Sequence, residues 1–139
     1  MSERFVLDAW AILALLQAEE PAAIRVKALL SQARSQQIEL FMSIINLGEV
    51  FYRIGRIRGP NEAEKTLEML GELSLTVLPT TDETVLAAAA IKMAQAISYA
   101  DAFAVVAATQ RQAILVTGDP ELLSLRDMVR TERLQRRTT

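Results

Sequence analysis

Asp8, Glu49, Asp101 and Asp119 each stand where an apolar, structure-forming segment would ordinarily exclude charge. Asp8 closes Arg4-Phe5-Val6-Leu7, and Asp119 follows Ala113-Ile114-Leu115-Val116-Thr117-Gly118, so both lie just past runs that read as buried strands. Glu49 interrupts Ile44-Ile45-Asn46-Leu47-Gly48 before Val50-Phe51-Tyr52, and Asp101 interrupts Ile97-Ser98-Tyr99-Ala100 before Ala102-Phe103-Ala104-Val105-Val106, both within apolar helical patterns. A buried carboxylate without a partner costs several kcal/mol, so each needs a reason to be there. The chain has no His and no Cys. That excludes Ser-His-Asp and Cys-His nucleophilic sites and His/Cys zinc sites. A converging set of carboxylates is instead hard oxygen ligation, suited to Mg²⁺ or Mn²⁺.

The elements that must position these acids alternate between strand and helix along the chain, with no repeat or low-complexity linker, which predicts one α/β domain over 1–139. Strands are expected over 5–7, 38–42, 75–78 and 114–117. Helices are expected over 9–18, from Pro21 onward, from Ser43 or Asn46 to Arg58, over 62–70, from Asp82 or Thr84 through the Ala-rich stretch to Ala96, from Ser98 to Arg111, and from Asp119-Pro120 to Val129. The polar end, about 130–139, carries no expected element. In an open parallel sheet ligands bind beyond the carboxyl ends of the strands, which is where Asp8 and Asp119 fall. Glu49 and Asp101, read as first-turn residues of following helices, are placed to face the same rim.

Composition agrees with a compact module. At 139 residues, 51% hydrophobic and 23% charged, the chain is globular and of one-domain size. A net charge of −2 means that any nucleic-acid contact rests on a local patch rather than on the whole surface. The absence of Cys accords with a reducing, cytoplasmic setting. Asp8 breaks the N-terminal apolar run before it reads as a signal peptide, and no apolar run reaches the roughly 18–20 residues of a membrane span, so no membrane partner is expected.

Asp8 with its following apolar helix, Asn46-x-x-Glu49, Tyr99-Ala100-Asp101-Ala102 opening a helix, and Val116-Thr117-Gly118-Asp119 resemble, in order and approximate position, the PIN domain, and within it the bacterial toxin branch called VapC. The resemblance covers nearly the whole chain. It implies a three-layer α/β/α fold with a central, mostly parallel sheet of four to five strands. It also implies a ribonuclease whose acids gather at one sheet edge to hold Mg²⁺ or Mn²⁺. Carried over by position, Asp8 and Asp101 are the direct metal ligands, and Glu49 and Asp119 complete the catalytic cluster. The implied reaction is attack of an activated water on phosphorus in line with the leaving oxygen, giving a 5′-phosphate and a 3′-hydroxyl. Implied partners are an RNA substrate, a cognate antitoxin whose peptide fills a groove near the acids, and a second copy of the chain in a homodimer. One departure is Trp10, which stands where the family often has a Ser or Thr that helps fix the metal shell. Thr117 keeps the family pattern.

Ordinary roles compete at every position. Asp8 and Asp119 each precede a helix as N-caps do, and Ser98-x-x-Asp101 and Asn46-x-x-Glu49 resemble capping boxes. Arg53 and Arg56 share a helix face with Glu49 and are candidate phosphate contacts, although Arg53 at i+4 equally suits an ion pair with Glu49. Arg126, Arg130, Arg133, Arg136 and Arg137 read as a solvated basic tail. A receiver domain would need paired acids after the first strand and a Lys after the last, and a haloacid-dehalogenase-like phosphatase an acid at position 10; neither is present. A non-catalytic PIN-fold module that binds RNA or protein is the remaining alternative, and it gives no account of four mutually repelling acids.

Overall fold

The short apolar runs become the strands of a single sheet. In the computed structural model, which describes residues 2–137, the strands are β1 (Glu3–Leu7), β2 (Ile38–Ser43), β3 (Thr76–Leu78), β4 (Ile114–Thr117) and β5 (Thr131–Arg133). They lie in the order β3-β2-β1-β4-β5, every neighbouring pair parallel. The helices are α1 (Ala9–Leu16), α2 (Ala22–Arg34), α3 (Ile44–Arg58), α4 (Pro60–Gly71), α5 (Asp82–Ala94), α6 (Tyr99–Arg111) and α7 (Pro120–Leu123).

Side chains of the central strands alternate between two cores, as the two-residue period of a strand requires. Phe5 and Leu7 of β1, Leu40 and Met42 of β2, and Val116 of β4 pack on one face with Ile12, Val26, Leu29, Val50 and Ile54. Val6 and Leu115 face the other way, against Ala102, Val105 and Val106 of α6 and Leu122. This is the expected α/β/α sandwich, with five strands and a wholly parallel sheet. Strand order reverses direction between β1 and β4, so the crevice for a ligand lies beyond their carboxyl ends.

Several local expectations are corrected. Helix α7 stops at Leu123 instead of running to Val129. The Ser124 hydroxyl donates to the Glu121 carbonyl at 2.6 Å, and the chain continues through turns closed by Met128 and Val129 N–H groups on Leu125 O. Leu122, Leu125 and Val129 are buried all the same. An unexpected fifth strand follows. Thr131-Glu132-Arg133 has no apolar run to announce it, and its pairing depends on partners remote in sequence: Leu115 N–H donates to Arg130 O at 2.8 Å, Leu134 N–H to Thr117 O at 2.9 Å, and Arg25 of α2 holds the Glu132 carboxylate through bonds of 2.7 and 2.9 Å. Helix α5 begins at Asp82, one of the two expected starts, behind a capping box formed by the hydroxyls of Thr81 and Thr84, and it ends at Ala94 instead of Ala96. Helices α3 and α4 meet at Gly59 with φ 92°, a conformation that residues with a side chain rarely adopt, and α4 starts directly at Pro60. Among the described residues, no single helix is long and apolar enough to cross a membrane.

Candidate metal centre and active-site cleft

All four acids reach one cleft. It measures about 320 Å³ and is lined by Asp8, Trp10, Leu13, Gln17, Glu19, Glu49, Arg53, Asp101, Asp119 and Arg136. Its floor is the β1/β4 crevice. Asp8 follows β1, is 2% exposed, and caps α1 through a 2.9 Å bond from Ala11 N–H to Oδ1. The Thr117 hydroxyl donates to Asp8 Oδ2 and in turn accepts the Asp119 N–H at 3.0 Å. The last residue of β4 therefore fixes both strand-end acids at once. Asp119 caps α7, accepting Glu121 N–H at 2.9 Å. Capping and clustering are compatible, since each cap uses one carboxylate oxygen and orients the other.

The remaining two acids arrive from helices on either side of a single contact. Ser98 caps α6 by accepting the Asp101 N–H at 3.1 Å, which sets Asp101 in the first turn, half-buried. The capping-box reading of Asn46 and Glu49 is corrected: Ser43 caps α3, accepting Ile45 N–H at 3.2 Å, and Glu49 lies in the second turn. There its carboxylate pairs with Arg53 at 2.9 Å. Asn46 is fully buried and donates to Ala100 O at 3.0 Å, tying α3 to the start of α6 next to Asp101. Its Oδ1 has no hydrogen-bond partner among the described residues.

The tightest grouping of carboxylates is Asp101, Asp119 and Glu121, with one oxygen from each within 4.8 Å of the others. Glu121 is not among the sequence candidates. An acid in the first turn after Asp-Pro reads as dipole compensation, and only the approach of α6 to α7 makes it part of the cluster. Asp8 lies beside this group at the cleft floor, with both carboxylate oxygens engaged.

The electrostatics of the cluster suit a divalent cation. Burial pushes the Asp8 carboxyl up to about 7; bonds from Thr117 and Ala11 oppose the rise, and the charges of Asp101 and Asp119 add to it. Asp101 is also raised to about 7, first by burial and then by the Asp119 charge, with a further contribution from Glu49. An all-oxygen donor set carrying this repulsion fits Mg²⁺ or Mn²⁺, with Asp101, Asp119, Glu121 and Asp8 as the groups that would hold the ion.

A pH dependence follows. Both carboxyls have folded-state values above the ordinary 3.8, so below about pH 4 they are protonated in both states and impose no penalty. As pH rises through about 7 the folded state must carry buried negative charge. Metal-free protein therefore loses stability between about pH 4 and 7. The loss is on the order of 4 kcal/mol from Asp8, with a smaller addition from the half-exposed Asp101, which is discounted for solvent screening. Thermal melts in EDTA and in excess Mn²⁺ should diverge more at pH 8 than at pH 5.5, by roughly 5–10 °C. Equal divergence at both values would show that the acids do not share an ion.

Solved structures similar to this chain share its fold. VapBC2 from Rickettsia felis, bound to a DNA fragment from its promoter, superposes with a TM-score of 0.74 at 13% identity, covering 95% of this chain and 99% of that one. DNA-bound VapBC from Salmonella typhimurium gives 0.72 at 19% identity, covering 97% and 100%. The sarcin-ricin loop cleaving toxin VapC20 of Mycobacterium tuberculosis gives 0.69 at 15% identity, covering 87% and 94%. A comparison with curated protein sequences yields no match. The sequence model of the PIN domain family matches residues 5–127, a span that contains Asp8, Glu49, Asp101, Asp119 and Glu121, and the protein belongs to the PIN domain family.

Proposed function

We propose that this protein is a divalent-metal-dependent endoribonuclease, the toxin of a toxin–antitoxin pair. The observation that carries the reading is the convergence of Asp8, Glu49, Asp101 and Asp119 in one cleft at the β1/β4 crevice, in a chain without His or Cys. When bound, Mg²⁺ or Mn²⁺ would supply a Lewis acid that acidifies water and offsets phosphate charge. Asp101, Asp119 and Glu121, with Asp8, would hold it. Thr117 keeps Asp8 Oδ2 in one orientation, and Asn46 keeps the start of α6, hence Asp101, against α3. Glu49, oriented by Arg53 and outside the Asp101–Asp119–Glu121 group, is assigned the proton of the attacking water. Hydroxide forms the new bond to phosphorus, the bond to the 3′-oxygen breaks, and that oxygen leaves with a proton. The products are a 5′-phosphate and a 3′-hydroxyl.

The partner assignments rest on the neighbours and on the surface. The Rickettsia and Salmonella structures are VapBC complexes, and a cognate antitoxin is proposed for this chain. A second groove of about 290 Å³ adjoins the acidic cleft through Leu13, Gln17 and Arg53 and is walled by Tyr52, Arg56 and Ile57. With Ile57 69% exposed, it suits an antitoxin peptide with an apolar side chain. Exposed Leu86 and Met93 on α5 suit a homodimer. A cytoplasmic location goes with an RNA substrate.

The test is end-group analysis of RNA cut in Mn²⁺. A 5′-phosphate that accepts ligation and a free 3′-hydroxyl are expected. A 2′,3′-cyclic phosphate would mean that the ribose hydroxyl is the nucleophile and would overturn the assigned roles.

A further inference from the structure

The cleft wall carries two cations, Arg53 and Arg136. They are not equivalent. Arg53 is committed to Glu49 at 2.9 Å. Arg136 makes no ion pair among the described residues, although five acids line the same cleft; its guanidinium carbon lies 5.5 Å from the centre of the Trp10 ring. Stacking on an aromatic face holds a guanidinium without consuming its N–H donors.

The setting of both partners is specified. Trp10 packs against the core, and its six-membered ring lies so close to Gly118 that any Cβ at that position would fall inside the ring's van der Waals boundary. The segment bearing Arg136 is anchored on both sides. Leu134 is 2% exposed and extends the β4–β5 pairing through its bond to Thr117 O, and Arg137 donates to Ala18 O at 3.5 Å. Residues 134–137 thus run from the end of β4 toward the end of α1. That course lays Arg136 along the cleft that the sequence alone would leave to a solvated tail.

We propose that Arg136, held on Trp10, is a substrate-positioning residue that grips a phosphodiester of RNA at the cleft mouth. The inference rests on the ribonuclease reading. A molecule of net charge −2 with an acidic cleft repels a polyanion, so it needs a local cation whose donors are unspent, and Arg136 is that cation. Its planar fork matches two phosphate oxygens. Trp10 is the platform for this contact.

The test is fluorescence anisotropy with a short labelled RNA of mixed sequence, in Ca²⁺ to limit turnover, across a salt series, for the full chain and four variants. Arg136→Ala should weaken binding roughly 5- to 10-fold and reduce the magnitude of the salt slope by about 1. Trp10→Leu should produce a similar loss with Arg136 intact, Trp10→Phe should restore most of it, and adding Arg136→Ala to Trp10→Leu should cost little more. Mn²⁺ affinity by calorimetry should stay unchanged in Arg136→Ala, which separates phosphate binding from damage to the acidic cluster. Unchanged affinity and slope in Arg136→Ala would overturn the proposal, as would tighter binding, which would make Arg136 a plug. RNA binding absent from the unsubstituted protein would instead reject the ribonuclease reading itself.

Discussion

Asp101→Asn should reduce RNA cleavage by at least about 10³-fold while leaving the metal-free protein as stable as the parent or more so. A thousandfold corresponds to about 4 kcal/mol of transition-state stabilisation, in reach of losing one of the ligands proposed for the ion. The opposite sign for stability comes from the same carboxylate. Burial and the Asp119 charge raise the Asp101 carboxyl to about 7, so at neutral pH its ionised form is a burden on the fold, and an amide of equal size removes that burden. Helix α6 keeps its cap, because Ser98 accepts the backbone N–H of residue 101 and not its side chain. Single-turnover cleavage and a melt in EDTA measure the two effects on one sample. An inactive variant that also melts far below the parent would make Asp101 a structural residue.

Gly118→Ala should destabilise the fold by about 2–3 kcal/mol through overpacking. The residue lies between Thr117, which orients two acids, and Asp119, and the Trp10 ring occupies the space of the missing side chain. Relief requires Trp10 to leave its packing or β4 to shift at its end, and either disturbs the cleft. Trp10 is the only tryptophan in the chain, so its fluorescence reports the displacement directly. Combining Gly118→Ala with Trp10→Leu should show a favourable coupling of roughly 1–2 kcal/mol in denaturant unfolding. Additive losses would mean that the glycine is required for something other than the indole.

Much of this was legible in the sequence because it depends on neighbours along the chain. Val6, Leu7, Leu115 and Val116 are continuous apolar runs since β1 and β4 are central strands buried on both faces. The acids that follow them fall at the ligand edge of a parallel sheet by topology alone. What was not legible depends on remote partners. Strand β5 is polar and short, and exists through β4 and Arg25. Glu121 becomes part of the cluster only because α6 and α7 converge. Asn46 looks like a cap three residues before Glu49, yet its amide spans to Ala100 in another helix. Arg136 is one of several arginines in a basic tail until the fold returns that tail to Trp10.

The most direct test of the acidic cleft is cleavage of mixed small RNAs by the purified protein in Mn²⁺, Mg²⁺ or EDTA, beside Asp8→Asn prepared identically. Cutting with either ion, none in EDTA and none in the variant is the expected result. Cutting that survives EDTA or the loss of the Asp8 carboxylate would contradict a metal-dependent site built on these acids.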